Sequence, residues 1–152
     1  MVVVWAFLLW AGHESLFDGL SMSLSCSVKQ EPAQGIYGRY TNLPRTAPLT
    51  IVTPAGSNYF VKLAEPKTDA PMLSLFVHGG EPLTAKVPLG SFILRAASGD
   101  RWCGEANLFG GNTHIVEAGR TVEFLPNEIH TITLSPQADG NLPIRTIGRG
   151  KF

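Results

Sequence analysis

Short apolar segments with a period of two follow one another along the last two thirds of this chain. From Leu49 onward, apolar and polar residues alternate within strand-length segments, and glycine, proline, asparagine or aspartate separates one segment from the next. Alternation of this kind buries every second side chain of a strand, whereas a helix would scatter the same residues around its axis. We therefore predict an all-β fold at residues 49–152, an antiparallel β-sandwich of about seven to eight strands. The segments are LTIVT (49–53), NYFVKL (58–63), MLSLFV (72–77), LTAKV (83–87), SFILRA (91–96), TVEFL (121–125), HTITL (130–134) and LPIRTI (142–147).

The alternation also assigns faces within the predicted strands. Leu83 and Val87 are expected to point inward, and so is Leu94, whereas Lys86 and Arg95 are expected to point outward. The glycine pair at 79–80 lies between two strand patterns and suits a tight hairpin turn, because glycine accepts positive φ angles.

One segment resembles a known family of β-sandwich modules. The stretch VPLGSFILRAASGD (87–100) resembles the V-P-x-G-x-[YF]-x-[LV] pattern and following turn glycine of PEGA and carboxypeptidase-regulatory-like modules. The longer run from PLTIVT through GSNYFVKL to WCGEANLFG is similar to uncharacterised, membrane-tethered bacterial or prophage domains with no assigned activity. The resemblance implies an extracytoplasmic, non-catalytic domain concerned with attachment or surface architecture.

The first 26 residues begin with an unbroken apolar run, MVVVWAFLLWA. As a helix, eleven residues cover only about 16 Å of a hydrocarbon layer of about 30 Å. Continuing the helix to Leu24 would bury Glu14 and Asp18, at about 2.5 to 3.5 kcal/mol for a carboxylate near the membrane centre. A cleaved signal peptide has the right apolar length but lacks a basic start, and an ordinary core strand or helix is a third alternative. We predict a helical anchor or signal segment at 1–26, with the domain membrane-anchored and facing the periplasm or exterior.

Residues 27–48 contain three prolines and two glycines and show no apolar period. This composition is typical of a linker or of an ordered extended arm. Ile36, Tyr37 and Tyr40 are the apolar side chains that would dock on the following domain if the segment is an arm.

Charge excludes one class of partner. The chain has 12 basic and 12 acidic residues, whereas a nucleic-acid-binding protein carries a basic excess or stripe to neutralise phosphates. We expect no nucleic-acid partner, and instead a membrane contact through the N-terminal segment and a protein or carbohydrate ligand.

Two cysteines, Cys26 and Cys103, are the only thiols in the chain. Two cysteines are too few for a disulfide framework, and they lie too far apart in sequence for a CxxC metal motif. A linker cysteine and a strand-end cysteine so far apart in sequence do not favour a mutual disulfide, and the spacing leaves their pairing open.

The segment RWCGEANLFGGNTH (101–114) interrupts the alternation with aromatic residues among turn formers. Aromatic faces beside amide and carboxylate groups are typical of carbohydrate or peptide recognition. The alternative is that the two aromatic side chains of the segment plug the open end of the sandwich. The candidate ligand-binding residues are Trp102, Glu105, Asn107, Phe109 and Asn112.

Metal binding is the second hypothesis for the same region. Cys103, Glu105, His114 and His130 offer the sulfur, oxygen and nitrogen donors of a tetrahedral zinc site if the fold brings them together. The segment HESLF (13–17) does not complete the HExxH motif of zinc proteases, and no GxSxG motif is present. The sequence thus favours a non-catalytic, membrane-tethered interaction or accessory module without a cofactor, with a small metal-binding or hydrolytic domain as the alternative.

Overall fold

Eleven strands and two short 3₁₀ helices make up the described part of the chain. The structure is a computed structural model that describes residues 2–7, 26–134 and 143–152. The predicted all-β class is confirmed, and the residues described contain no α-helix. The strands are β1 (Val2–Phe7), β2 (Gly35–Arg39), β3 (Arg45–Val52), β4 (Asn58–Ala64), β5 (Pro71–Val77), β6 (Leu83–Pro88), β7 (Gly90–Gly99), β8 (His114–Ala118), β9 (Val122–Phe124), β10 (Ile129–Leu134) and β11 (Ile144–Thr146); the 3₁₀ helices are η1 (Gly110–Asn112) and η2 (Arg149–Lys151).

The strands form two sheets that share one apolar core. The first sheet has the order β1-β10-β3-β6, in which β1 and β3 run parallel to β10 and β6 runs antiparallel to β3. The second sheet has the order β11-β8-β7-β4-β5-β2 with antiparallel pairing, and β9 pairs with the start of β7. Side chains from both sheets meet in a single buried cluster that includes Leu49, Ile51, Leu63, Leu75, Leu94 and Ile132.

Alternation was a reliable signal for strand faces in the first sheet. Leu83 and Val87 are buried and Lys86 is exposed, as predicted. The VPLG segment turns the chain from β6 into β7 through Gly90, whose φ of +130° is a conformation that suits glycine.

The apolar segment at the front differs from the helical prediction where it can be compared. Residues Val2–Phe7 form strand β1, which pairs in parallel with β10 from Val2 opposite Ile129 to Phe7 opposite Leu134. Three consecutive valines fit this outcome, because β-branched residues favour extended backbone. Residues 8–25 lie outside the described part of the chain. Among the described residues, no helix is long and apolar enough to cross a membrane.

The part of residues 27–48 that precedes Arg45 forms an extended arm that joins the second sheet. Gly35–Arg39 is strand β2, which pairs with β5 at the edge of that sheet. The sequence boundary at residue 49 falls inside β3, since this strand already begins at Arg45. Two glycines and three prolines are typical of a turn-rich linker, but the segment contains a short edge strand.

Strand β8 lies in a region where the sequence predicts no strand. Four of its five residues are buried, because the sheet has an apolar cover on both faces at this point. Ile115 packs on the outer face of the second sheet and Val116 on the core face, so apolar and polar residues do not alternate. The period-two signal is therefore absent from the sequence.

A row of charged side chains crosses the outer face of the second sheet. Arg95 does point away from the core as predicted, but it is buried, because it pairs with Glu117 on the adjacent strand and with Asp69 in the β4–β5 turn. The Arg95 Nε donates to Glu117 Oε2 at 2.8 Å, and Arg145 Nε donates to Glu117 Oε1 at 3.0 Å. Burial acts to raise the pKa of Glu117, but the hydrogen bonds from Arg145 and Arg95 outweigh it and lower the pKa below 4.5.

Candidate functional site

The segment between β7 and β8 folds into a tight loop that lies on the outer face of the second sheet. Cys103 N donates to Leu108 O at 2.6 Å, and Leu108 N donates to Gly104 O at 2.7 Å. Thr113 closes the loop, since its hydroxyl accepts from Phe109 N and donates to Gly110 O. These bonds fix the loop rather than leave it as a mobile connection.

Loop and sheet together bury an aromatic cluster. The Trp102 ring centroid lies 5.1 Å from that of Phe60, 5.2 Å from that of Phe76 and 5.3 Å from that of Phe109. The packing of Phe109 in this cluster requires a glycine at position 99, because a Cβ there would collide with the Cβ of Phe109. The cluster forms a second apolar core on the side of the sheet that faces away from the sandwich.

The two aromatic residues predicted to face a ligand are thus mostly inside this cluster. Trp102 is 3% exposed and Phe109 is 5% exposed. The prediction that Trp102 offers a ring face to a ligand is wrong, since a small domain gains more by burying such a large apolar surface. The two rings cover the outer face of the second sheet, which is a different place from the open end of the sandwich.

A disulfide joins the arm to this loop. Cys26 and Cys103 are bonded, with their Cα atoms 5.7 Å apart, so the pairing that the spacing did not favour is present. Next to it, Lys29 N donates to Trp102 O at 2.8 Å. Further along the arm, Asn58 Nδ2 donates to Glu31 Oε1 at 2.6 Å. The arm is therefore held on the domain from residue 26 onward.

Where the arm meets the loop, three exposed side chains and one half-buried lysine share a surface. We call Tyr37, Tyr40, Lys62 and Glu105 the arm–loop face. Tyr40 Oη donates to Glu105 Oε1 at 3.3 Å, and Tyr37 stands edge-on to Phe60 with ring centroids 5.1 Å apart. Tyr37 and Tyr40 are 41% and 45% exposed. Of the predicted ligand-binding residues, Glu105 belongs to this face.

The electrostatics of the face reflect partial burial and a close mixture of charges. Burial raises the pKa of Tyr37, and the negative charge of Glu105 raises it further. Burial lowers the pKa of Lys62, Glu105 opposes this shift, and Arg95 adds to it. The Lys62 ammonium lies 4.4 Å from the centroid of the Phe152 ring, a cation–π contact.

A second surface feature lies at the start of the loop. An open depression of about 490 Å³, which we call the end depression, is lined by Ser57, Gly99, Asp100, Arg101, Phe109, Asn112 and His114. It brings together three predicted site residues, Phe109, Asn112 and His114. Asn107 is exposed on the loop outside this lining.

The predicted zinc ligands are dispersed. Cys103 is in the disulfide, Glu105 is beside Tyr40, and His114 lines the end depression. His130 is buried in the first sheet with its ring centroid 5.0 Å from that of Phe124, and burial lowers its pKa. In the described part of the chain, no group of three or more histidine, cysteine, aspartate or glutamate residues is placed to hold a metal ion. His13 lies outside the described residues.

No sequence signal singles out Lys62 or three residues of the end depression, Ser57, Asp100 and Arg101. Lys62 sits in a predicted strand at an outward position, where a solvated lysine is the ordinary interpretation. Ser57, Asp100 and Arg101 belong to turns that flank strands and carry no motif. Tyr37 and Tyr40 are expected to dock on the domain, and the ring contacts of Tyr37 and the hydrogen bond from Tyr40 to Glu105 support that expectation.

No family model matches this chain, and no curated protein and no solved structure matches it.

Proposed function

We propose that this domain acts outside the cytoplasm as a non-catalytic interaction module whose binding surface is the arm–loop face. The observation that carries the proposal is the Cys26–Cys103 disulfide. Disulfides form and persist in oxidising compartments and are rare in the cytosol. A fully paired set of cysteines, with none left free, is the usual state of an exported domain.

The disulfide also supports a binding role for the surface next to it. It ties two segments 77 residues apart in sequence, one of which contributes Tyr37 and Tyr40 and the other Glu105. Side chains that are held before a ligand arrives lose less entropy on binding. The half-exposed tyrosines are of the residue type enriched at binding surfaces, because the ring is rigid and amphipathic.

A membrane tether at residues 1–26 stays a prediction. The backbone of Val2–Phe7 pairs with β10, and residues 8–25 lie outside the described part of the chain. The proposed export accordingly depends on the disulfide and not on the apolar segment.

Thiol trapping in living cells tests the proposal. The full chain with a C-terminal tag is expressed in its host, cells are quenched with acid, and proteins are treated with a maleimide-linked polymer before or after reduction. We expect no labelling before reduction and double labelling after it, because both cysteines are bonded. Fractionation of the same cells is expected to recover the tag outside the cytosol.

A matched control is the Cys26→Ser variant, which should label once without reduction at Cys103. Double labelling of the unreduced wild-type chain in a cytosolic fraction would show that the protein works in a reducing compartment, and the proposed export would be wrong.

A further inference from the structure

We infer that the arm–loop face is a carbohydrate-binding site, which packs a sugar ring on Tyr37 or Tyr40 and hydrogen-bonds its hydroxyl groups to Lys62 and Glu105. The inference rests on the proposed function and adds the class of ligand. The sequence suggests carbohydrate recognition by Trp102 and Phe109, but both side chains are buried. The inference assigns this role to the two exposed tyrosines of the arm.

The aromatic part of the site is exposed and held in place. Tyr37 makes edge-on contacts to two buried rings, with centroid distances of 5.1 Å to Phe60 and 6.0 Å to Trp102. Its ring is therefore fixed from below while 41% of the residue stays accessible. The C–H face of a pyranose is apolar and weakly positive, which suits the negative face of an aromatic ring.

The polar part of the site has both donors and acceptors. Lys62 supplies only donors, the Glu105 carboxylate supplies only acceptors, and each tyrosine hydroxyl supplies both. A sugar hydroxyl donates and accepts at once, so it can use this mixture fully. A cationic ligand would meet the Lys62 ammonium and an anionic ligand would meet the Glu105 carboxylate, which is why a neutral polyhydroxylated ligand fits best.

Affinity electrophoresis tests the inference with the oxidised full chain. Native gels are cast with one neutral polysaccharide each: an α-glucan, a β-glucan, a mannan and a soluble chitin derivative. We expect at least one of them to retard the wild-type protein. We expect Tyr37→Ala or Tyr40→Ala, whichever removes the ring on which the sugar packs, to weaken that binding by about tenfold, the loss expected for one aromatic contact.

Two variants serve as controls. Leu125→Ala removes an apolar side chain that is as exposed as Tyr40, at 45%, but lies next to β9, and it should bind like the wild type. Asn112→Ala alters the end depression and should also leave retardation unchanged. Equal thermal unfolding temperatures for the four variants would show that any loss of binding is local.

Three results would overturn the inference: no retardation of the wild type by any of the polysaccharides, equal retardation of wild type and tyrosine variants, or loss of binding in Asn112→Ala alone. If thiol trapping shows that the cysteines are oxidised in cells, any of these results would disprove carbohydrate binding without disproving the proposed exported interaction module.

Discussion

Replacing Cys26 and Cys103 together by serine should lower the free energy of unfolding by about 4 kcal/mol. The bond joins residues 77 positions apart in sequence. It lowers the conformational entropy of the unfolded chain, and this loss of entropy is larger for a longer closed loop. The core cluster between the sheets draws its fully buried residues from positions 47–134. We therefore expect the double variant to fold, with a less stable arm.

Urea denaturation of the oxidised wild type, the reduced wild type and the double variant measures this effect. The last two proteins should agree within about 1 kcal/mol, because reduction and substitution open the same bond. A double variant as stable as the oxidised protein would mean that the bond does not constrain the unfolded chain.

Glu117→Gln should cost about 3 kcal/mol of stability at neutral pH. The side chains of Arg95 and Glu117 are only 10% and 7% exposed, and a buried guanidinium that loses its main carboxylate partner is poorly compensated. Asp69 continues to pair with Arg95, which keeps the expected loss at the lower end of the range for buried ion pairs. Glu123→Gln, at an exposed position of β9, should change stability by less than about 0.5 kcal/mol.

The pH dependence gives this prediction a second readout. Because the pKa of Glu117 is lower in the folded protein than its ordinary value of 4.5, its carboxylate contributes stability above pH 4.5 that is lost as the pH falls through the folded pKa. The difference in unfolding free energy between wild type and Glu117→Gln should therefore shrink in acid. A difference that stays constant from neutral pH to strong acid would show that the ionised form is not the stabilising one.

The fold was predictable where burial is one-sided. Strands β3, β6 and β10 each have a segment in the sequence that predicts them, because polar residues mark the solvent side of the pleat. β8 and β2 were not found, for opposite reasons. β8 is buried on both faces, and β2 is a short edge strand rich in glycine.

Within the arm–loop face, the sequence indicates Glu105 as a candidate ligand-binding residue and the two tyrosines as docking residues, but it does not indicate Lys62. Glu105 was expected at the surface and lies there, beside Tyr40. For Trp102 and Phe109 the sequence leaves open a ligand-facing position or a plug at the open end of the sandwich. The structure shows neither, because the loop and the arm cover the other face of the second sheet with a second apolar cluster. The spacing left the Cys26–Cys103 pairing open, since nothing in it shows that the arm returns to the loop.

Hydrogen–deuterium exchange across residues 27–41 tests most directly whether the arm is part of the folded domain. In the oxidised protein the amides of Lys29 and Tyr40 donate to Trp102 O and Met72 O, at 2.8 Å and 3.1 Å. We predict that they exchange far more slowly than in an unstructured peptide, and that reduction speeds the exchange of Lys29 while β4 and β7 stay protected. Exchange of the arm at the free-peptide rate in the oxidised protein would contradict the arm–loop face and the binding role built on it.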